Sequence, residues 1–567
     1  MSILGIDLGT TNSACAVWKD GKATLIPNRF NEYLTPSVVG IDNQGEVLIG
    51  KSARNRLISH AKSTASVFKR YMGTDYSIDL GKRSFTATEL SSLILASLKE
   101  DAETYLGEAI THAVISVPAY FNDVQRKATK LAGELAGLTV DRLINEPTAA
   151  AMVYGLHEKR DGMQFLILDL GGGTFDVSLV EYFEGVLEVH ASSGDNHLGG
   201  EDFLQLMVND FLQKSMLDKA KLTSNELQRL TEVMETTKRK LSSQRDVEIK
   251  QALNSPHPPY CITREDFDHL VQPLLHRVQL PIERTLRDAD ITPAEIDEVV
   301  LVGGATRMFA FRSLITRMFR RMPAANIDPD LVVAMGAGIQ AGLKQKHEDL
   351  DDVVLTDVSP YTLGVEVINH GDSNGKQGGL FMPIIERNSV VPISVERSLC
   401  TAEDNQKAVN IKVYQGESRL VKNNVYLGEL EVKVPKAKAG VETLDIRYSY
   451  DMNGLLEVDV TVNSTGVTHH TTIINSASGL SDKEIEKSRS KLAKLKFHPR
   501  EDAENRNHIA RAERLYESAL GDKRDYISRI LSQFEQVLER QNPQEIKKAA
   551  SELAHILDSL EEDNLFS

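Results

Sequence analysis

The sequence predicts a multidomain chain: an α/β domain built on a duplicated unit, then a strand-rich domain, then a helical segment. Three observations carry that expectation. A chain of 567 residues is too long for one hydrophobic core and fits roughly three to four domain-sized units. The apolar pattern changes texture twice, from mixed α/β to alternating strands to helical periodicity. The first region also contains two copies of one strand–loop–strand–turn–strand unit.

From Met1 to about Asp349, short apolar runs alternate with helical stretches. Ile3 to Pro27 reads as a strand, the loop Asp7-Leu8-Gly9-Thr10-Thr11, a strand, an Asp20-Gly21 turn and a strand. Phe165 to His190 repeats it, with Asp169-Leu170-Gly171-Gly172-Gly173-Thr174 as the loop and Glu184-Gly185 as the turn. Two such units imply halves that face each other across a cleft, where ligands bind readily. Asp351 to Asp357 is a short apolar strand bracketed by acids.

From Tyr361 to about Ser478 strand follows strand. Leu444, Ile446, Tyr448 and Tyr450 alternate on one side, Asn453-Gly454 turns the chain, and Leu456, Val458, Val460 and Val462 return. From Ser481 to Leu560 the period becomes helical. Ser481 and Glu484 form a capping box, Gly521-Asp522 breaks a helix, and Asn542-Pro543 opens another. In that last helix Ile546, Ala549, Ala550, Leu553, Ile556, Leu557 and Leu560 share one face.

Composition excludes several classes. A formal net charge of −16 argues against a nucleic-acid-binding surface. Cys15, Cys261 and Cys400 are the three cysteines; they make no disulfide framework or metal-ligand spacing, and buried apolar roles are expected. The N-terminus reads as a strand rather than a signal peptide, and no apolar run approaches the roughly 18 residues that span a bilayer. The expectation is a soluble, cytoplasmic protein with no nucleic-acid or membrane partner.

The repeated loops carry the chemistry. Glycine lets backbone N–H groups approach a phosphate, and Thr10, Thr11 and Thr174 add hydroxyl donors. Asp7 and Asp169 end buried strands, where a carboxylate needs a partner; Mg2+ bound through its waters suits one beside a triphosphate. One loop alone is a common turn, but two matched copies point to phosphate binding. No G-x-x-x-x-G-K-[ST] sequence is present, so this is not a P-loop protein. Gly303-Gly304, after the apolar run Val299 to Val302, is a candidate for the nucleoside end of the same ligand.

The segments Gly5 to Ser13, Asp169 to Asp176 and Val299 to Arg307 resemble the three signatures of the heat-shock protein 70 family of molecular chaperones. Val114 to Phe121, Asn145 to Ala151, Thr401 to Gln406 and Tyr414 to Glu417 match further family motifs, and the similarity runs to about Leu480 before fading. It implies an actin-like, two-lobed α/β ATPase domain (a duplicated ribonuclease H-like fold) over 1–350, and an interdomain linker over 351–358. A β-sandwich peptide-binding domain over 359–480 and a shortened α-helical lid over 481–567 complete the implied architecture. ATP/ADP and Mg2+ are the implied ligands. Extended, unfolded client polypeptides and a J-domain co-chaperone are the implied partners, while the need for a nucleotide-exchange factor stays open.

The resemblance also assigns roles. Gly9, Thr10, Thr11, Asn12, Gly171, Gly172, Gly173 and Thr174 would hold phosphates, and Asp7 and Asp169 the magnesium waters. Lys69 would neutralise the γ-phosphate while Glu146, Asp176 and Thr174 orient the attacking water. Glu235, Lys238 and Ser242 match adenosine contacts, Arg239 could stack on the base, and Gly303, Gly304 and Arg307 would close the other side; without the resemblance, residues 235–239 read better as a solvated helix face. Val365, Val367, Ile368, Leu399, Ala402, Gln406, Val409 and Ile411 would form the peptide groove, or else be ordinary sandwich core. Val353, Val354, Leu355 and Asp357 would couple the domains, and Arg142, Asn145 and Asp357 match positions where J-domain partners act.

Several positions depart from the family pattern. Thr356 replaces a linker leucine, Phe309 a proline, and Leu399 and Ile368 a phenylalanine and a methionine at the groove. The lobe between Asp202 and Cys261 and the C-terminal helices are abbreviated, which resembles the short HscC-like subgroup. A sugar kinase of the same superfold would share the phosphate loops but has no reason to append a linker, a sandwich and a helical tail.

Overall fold

The computed structural model describes residues 2–42, 44–157, 162–183, 186–253, 258–324, 327–345, 354–369, 377–451, 455–474, 503–519, 522–540 and 543–565. The chain divides into two compact units, one essentially Met1–Tyr361 and the other Thr362–Asp451, Leu455–Ile473 and the C-terminal helices.

The first unit holds two sheets of one design. In the first lobe the strand order is Thr139–Asn145, His112–Val117, Ile3–Asp7, Asn12–Lys19, Lys22–Ile26. Parallel pairs lie on one side of Ile3–Asp7 and an antiparallel meander on the other. In the second lobe Met163–Leu170 takes the place of Ile3–Asp7. It pairs in parallel with Glu298–Val302 and antiparallel with Phe175–Phe183, which pairs with Val186–Asp195. The sequence repeat is therefore a duplicated fold. The turn Glu184-Gly185 lies outside the described residues.

Both central strands are apolar because both faces are covered. Leu4 and Ile6 in one, and Leu166 and Leu168 in the other, are fully buried within separate lobe cores. The alanine- and glycine-rich helix Val332–Lys344 lies directly on the first sheet. A Cβ on Gly5 would stand 2.3 Å from the Ala337 carbonyl carbon, and one on Gly336 1.9 Å from Ala149 O in the helix Glu146–His157. Only glycine permits backbone contact this close.

Among the described residues the second unit contains two four-stranded antiparallel sheets and three α-helices. One sheet orders Gln377–Ile385, Leu363–Asn369, Ala408–Gln415, Val425–Lys433; the other Ile393–Cys400, Thr443–Tyr450, Leu455–Val462, Val467–Ile474. The expected hairpin pairs Leu444, Ile446, Tyr448 and Tyr450 with Val462, Val460, Val458 and Leu456, so one face is continuous core. Its turn, Asn453-Gly454, lies outside the described residues, as do Ser481, Glu484, Gly521 and Asn542. Helices Ala503–Ser518, Asp522–Arg540 and Pro543–Leu565 share a core around Leu515, Ile527, Phe534, Leu538, Leu553 and Leu557. Pro543 starts its helix where a missing N–H costs nothing.

The cysteine expectation needs correction. Cys15 is buried, but Cys261 and Cys400 are exposed. Cys261 sits between buried Tyr260 and Ile262, so strand alternation turns it outward, and Cys400 ends its strand.

Candidate active site in the interlobe cleft

The two glycine loops meet in a cleft of about 1,090 Å³ within the first unit. A Cβ on Gly172 would stand 2.1 Å from Thr11 Oγ1, and one on Gly173 3.0 Å from Thr10 Oγ1. Loops from opposite lobes are thus pressed together with their hydroxyls and amides converging. Every nucleotide-site residue expected from the sequence lines this cleft except Gly173 and Asp176. Gly173 packs behind it against Arg70 and Thr10, and Asp176 is fully buried.

Behind the loops lies an excess of buried negative charge. The Lys69 ammonium contacts Glu146 Oε1 at 2.8 Å, both side chains nearly inaccessible. Burial, reinforced by Glu146 and opposed by Lys69 and a 2.8 Å hydrogen bond from Ser116 Oγ, lifts Asp7 to about 7. Burial and then Glu146 raise Asp176 to about 8. Burial, Glu146, Asp176 and Asp7 together hold Asp169 well above the usual carboxylate range. One lysine cannot neutralise four acids in a low-dielectric site, so the pocket favours an added cation.

Among the described residues no group of three acidic, histidine or cysteine side chains converges on one point as direct ligands. Asp176 Oδ2 is buried with no hydrogen-bond partner among them. Separated acids and an orphaned oxygen fit a Mg2+ held through its waters.

The rest of the cleft is built from a helix end and a glycine turn. Helix Ser224–Leu241, capped by Thr223 and Glu226, brings Glu235 and Lys238 inward. Glu235 holds both Lys238 Nζ and Arg239 Nε at 2.7 Å, and Lys238 also donates to Gly200 O at 2.8 Å. Burial of Lys238 removes the solvated-face reading for this turn, although Arg239 remains half exposed. Opposite, Gly303 has φ +82, and a Cβ there would meet Leu170 O at 2.4 Å. Arg307 is fixed by Asp328 and Asp330 at 2.7 and 2.8 Å.

The acid-bracketed segment forms the strand Val354–Val358, which extends the second sheet by parallel pairing of Val354, Leu355 and Thr356 with Val186, Leu187 and Glu188. Val353 lies outside the described residues, and of Val354 and Leu355 only the backbone is described. Asn145 Nδ2 donates to Asp357 Oδ2 at 3.0 Å. Burial raises Asp357 while Val358 N–H and the Arg142 charge oppose the shift, so Arg142, Asn145 and Asp357 do come together.

In the second unit Val365 and Ile411 are buried, and Val367, Leu399, Ala402 and Val409 half-buried. Ile368 is exposed at a register irregularity. Gln406 braces its own loop, accepting from Ala402 N and Glu403 N and donating to Ala408 O.

The family model described as Hsp70 protein matches residues 3–83 and 77–565. The chain belongs to the Hsp70 family. Hsp70 proteins are chaperones and ATPases that bind nucleotide, typically with Mg2+, and unfolded polypeptide. The match runs well past Leu480, where sequence resemblance had faded. Among the described residues no helix is long and apolar enough to cross a membrane.

Against the Hsp70 pattern two departures acquire physical content. Thr356 Oγ1 is buried without a hydrogen-bond partner among the described residues, a cost that a leucine would not carry. Phe309 opens the helix Phe309–Phe319, with the Arg264 guanidinium 4.4 Å from its ring centroid.

Sequence reasoning missed parts of the site. Arg70 reaches Asp202 of the other lobe at 3.1 Å. A Cβ on Gly199 would stand 2.4 Å from Gly172 O, so Gly199-Gly200 buttresses the second glycine loop. That pair follows strand Val186–Asp195 and opens helix Gly200–Lys214, the same strand–glycine signal read at Gly303 and usable here. Tyr120, whose main-chain N–H donates to Asp176 Oδ1 at 3.0 Å, lies in the motif Val114 to Phe121 but was given no role from the sequence.

Proposed function

We propose that this Hsp70 protein is an ATP-dependent chaperone, with ATP and its Mg2+ bound in the interlobe cleft and extended client segments in the strand-rich unit. The observation that carries the reading is the convergence of the Thr10-Thr11 and Gly172-Gly173 loops over one buried lysine and four acids. The loops supply phosphate donors from both sides. Lys69 offsets charge on the transferred group, and Glu146, Asp176 and Thr174 orient water for in-line attack. Mg2+ held through Asp7 and Asp169 would supply charge neutralisation at the β- and γ-oxygens.

The finer domain assignment is ours as well: ATPase domain 1–350, linker 351–358, peptide-binding sandwich 359–480 and lid 481–567, in the cytoplasm, with a J-domain partner acting at Arg142, Asn145 and Asp357. The abbreviated lobe between Asp202 and Cys261 supports the HscC-like subgroup. ATP binding and hydrolysis would alternate the open and closed states of the peptide groove. Steady-state ATP turnover, measured with and without an unfolded peptide, tests the reading. Stimulation is expected; turnover that ignores the peptide, or is absent, overturns it.

A further inference from the structure

We infer that Tyr361 is a positioning residue for ATP hydrolysis, holding Tyr120 so that its main-chain N–H meets the Asp176 carboxylate. The inference rests on the ATPase reading above and adds a residue that lies in none of the sequence motifs.

The Tyr361 hydroxyl donates to Tyr120 O at 2.7 Å, and the two rings pack with centroids 4.5 Å apart. Asn196 Nδ2 donates to the same carbonyl at 2.7 Å, and Arg284 reaches the Tyr120 hydroxyl at 3.3 Å. Tyr120 is thus held on both its backbone and its ring, while its N–H donates to Asp176 Oδ1 at 3.0 Å. The space is closed: a Cβ on Gly194 would stand 2.8 Å from Asp176 Oδ1 and 2.9 Å from Tyr120 Cβ. A hydrogen bond weakens steeply as its geometry degrades, so freeing the carbonyl of Tyr120 loosens the group that aims Asp176. Tyr361 touches neither the cleft nor Asp176 by a direct hydrogen bond, which makes its role one of position. Ser359 Oγ, donating to Tyr361 O at 2.9 Å, fixes the residue just after the strand Val354–Val358.

The test is Tyr361→Phe in the full chain, which keeps the ring contact and removes only the donor. Losing one neutral hydrogen bond should slow single-turnover hydrolysis about three- to ten-fold. ATP affinity and melting temperature should stay at wild-type values, so kcat falls while binding does not. Tyr361→Leu, which also removes the ring contact, should lose at least as much. In an Asp176→Asn background Tyr361→Phe should cost nothing further, since the carboxyl group it positions is gone. A wild-type rate for Tyr361→Phe, a proportionate loss of ATP affinity, or an undiminished cost in the Asp176→Asn background would overturn the inference. If Asp176→Asn alone hydrolyses like wild type, the role of Asp176 and with it the inference fail; if the unaltered chain does not turn over ATP, the ATPase reading itself fails, whatever Tyr361 does.

Discussion

The two lobes of the first unit share a hairpin and differ in the side chains that flank its strand-end acid. Asp7 stands opposite Ala14 across its hairpin, whereas Asp169 stands opposite Asp176. On the other side of each central strand the pattern reverses. Ser116 hydrogen-bonds Asp7, while its counterpart facing Asp169 is Val302. Both lobes bring a glycine- and hydroxyl-bearing loop and one strand-end acid to the cleft. The second contributes its further buried acid, Asp176, from the hairpin itself, the first contributes Glu146 from the helix after its edge strand, and Asp7 of the first takes a hydroxyl donor from Ser116. The two hairpins are alike in backbone, and the residues facing Asp7 and Asp169 make the cleft electrostatically asymmetric.

The largest expected effect tests that asymmetry. Thr174→Ala and Asp176→Asn should each slow hydrolysis by roughly 10²- to 10³-fold, the usual cost of a lost transition-state contact, with ATP still bound. Asn12→Ala, at the position of Thr174 in the first loop, should slow it far less. Equal losses in single-turnover assays would mean that both loops serve the chemistry.

Next comes the contact between the two loops. Gly172→Ala drives a methyl group into Thr11 Oγ1 and should weaken ATP binding by roughly 5- to 150-fold through overpacking. Thr11→Gly added to Gly172→Ala should recover part of that loss. Calorimetric affinities showing no recovery would place the strain elsewhere.

A smaller change makes the first lobe like the second. Ser116→Val removes the donor to Asp7, and Mg2+-dependent nucleotide affinity should fall about ten-fold. Titration of ATP affinity against Mg2+ checks this, and an unchanged Mg2+ dependence would detach Asp7 from the cation.

The smallest effect is on stability without ligand. Asp7 and Asp176 keep their protons to about 7 and about 8 when folded. The folded state therefore holds more protons than the unfolded one above the ordinary carboxyl range, and stability declines as pH rises towards about 8. Melting temperature should fall between about pH 6 and 8. Asp176→Asn should flatten the upper end of that slope more than Asp7→Asn does. Identical slopes for the two variants would remove the electrostatic part of the asymmetry.

Much of this site was legible because it is local. The Asp-Leu-Gly loops, the hairpin around Leu444 and Val462 and the stripe from Ile546 to Leu560 are written in consecutive residues at periods of two or 3.6. The groove was legible only in part, since Val365 and Ile411 alternate in the same way whether they line a groove or fill a core. Thr356 was visible as a departure, but its unpartnered hydroxyl was not.

By itself the sequence determined the fold family, the duplicated loops and the residue types that line the cleft, because backbone sterics and hydrophobic periodicity act between near neighbours. Only the tertiary structure decided that Gly172 meets Thr11, that Arg70 meets Asp202, that Asn145 meets Asp357 and that Tyr361 holds Tyr120. Those partners lie far apart in the chain and follow no period. They are selected by close packing of finished elements, where a hydroxyl or carboxylate excluded from water must find whichever donor or acceptor the fold has brought within hydrogen-bonding reach.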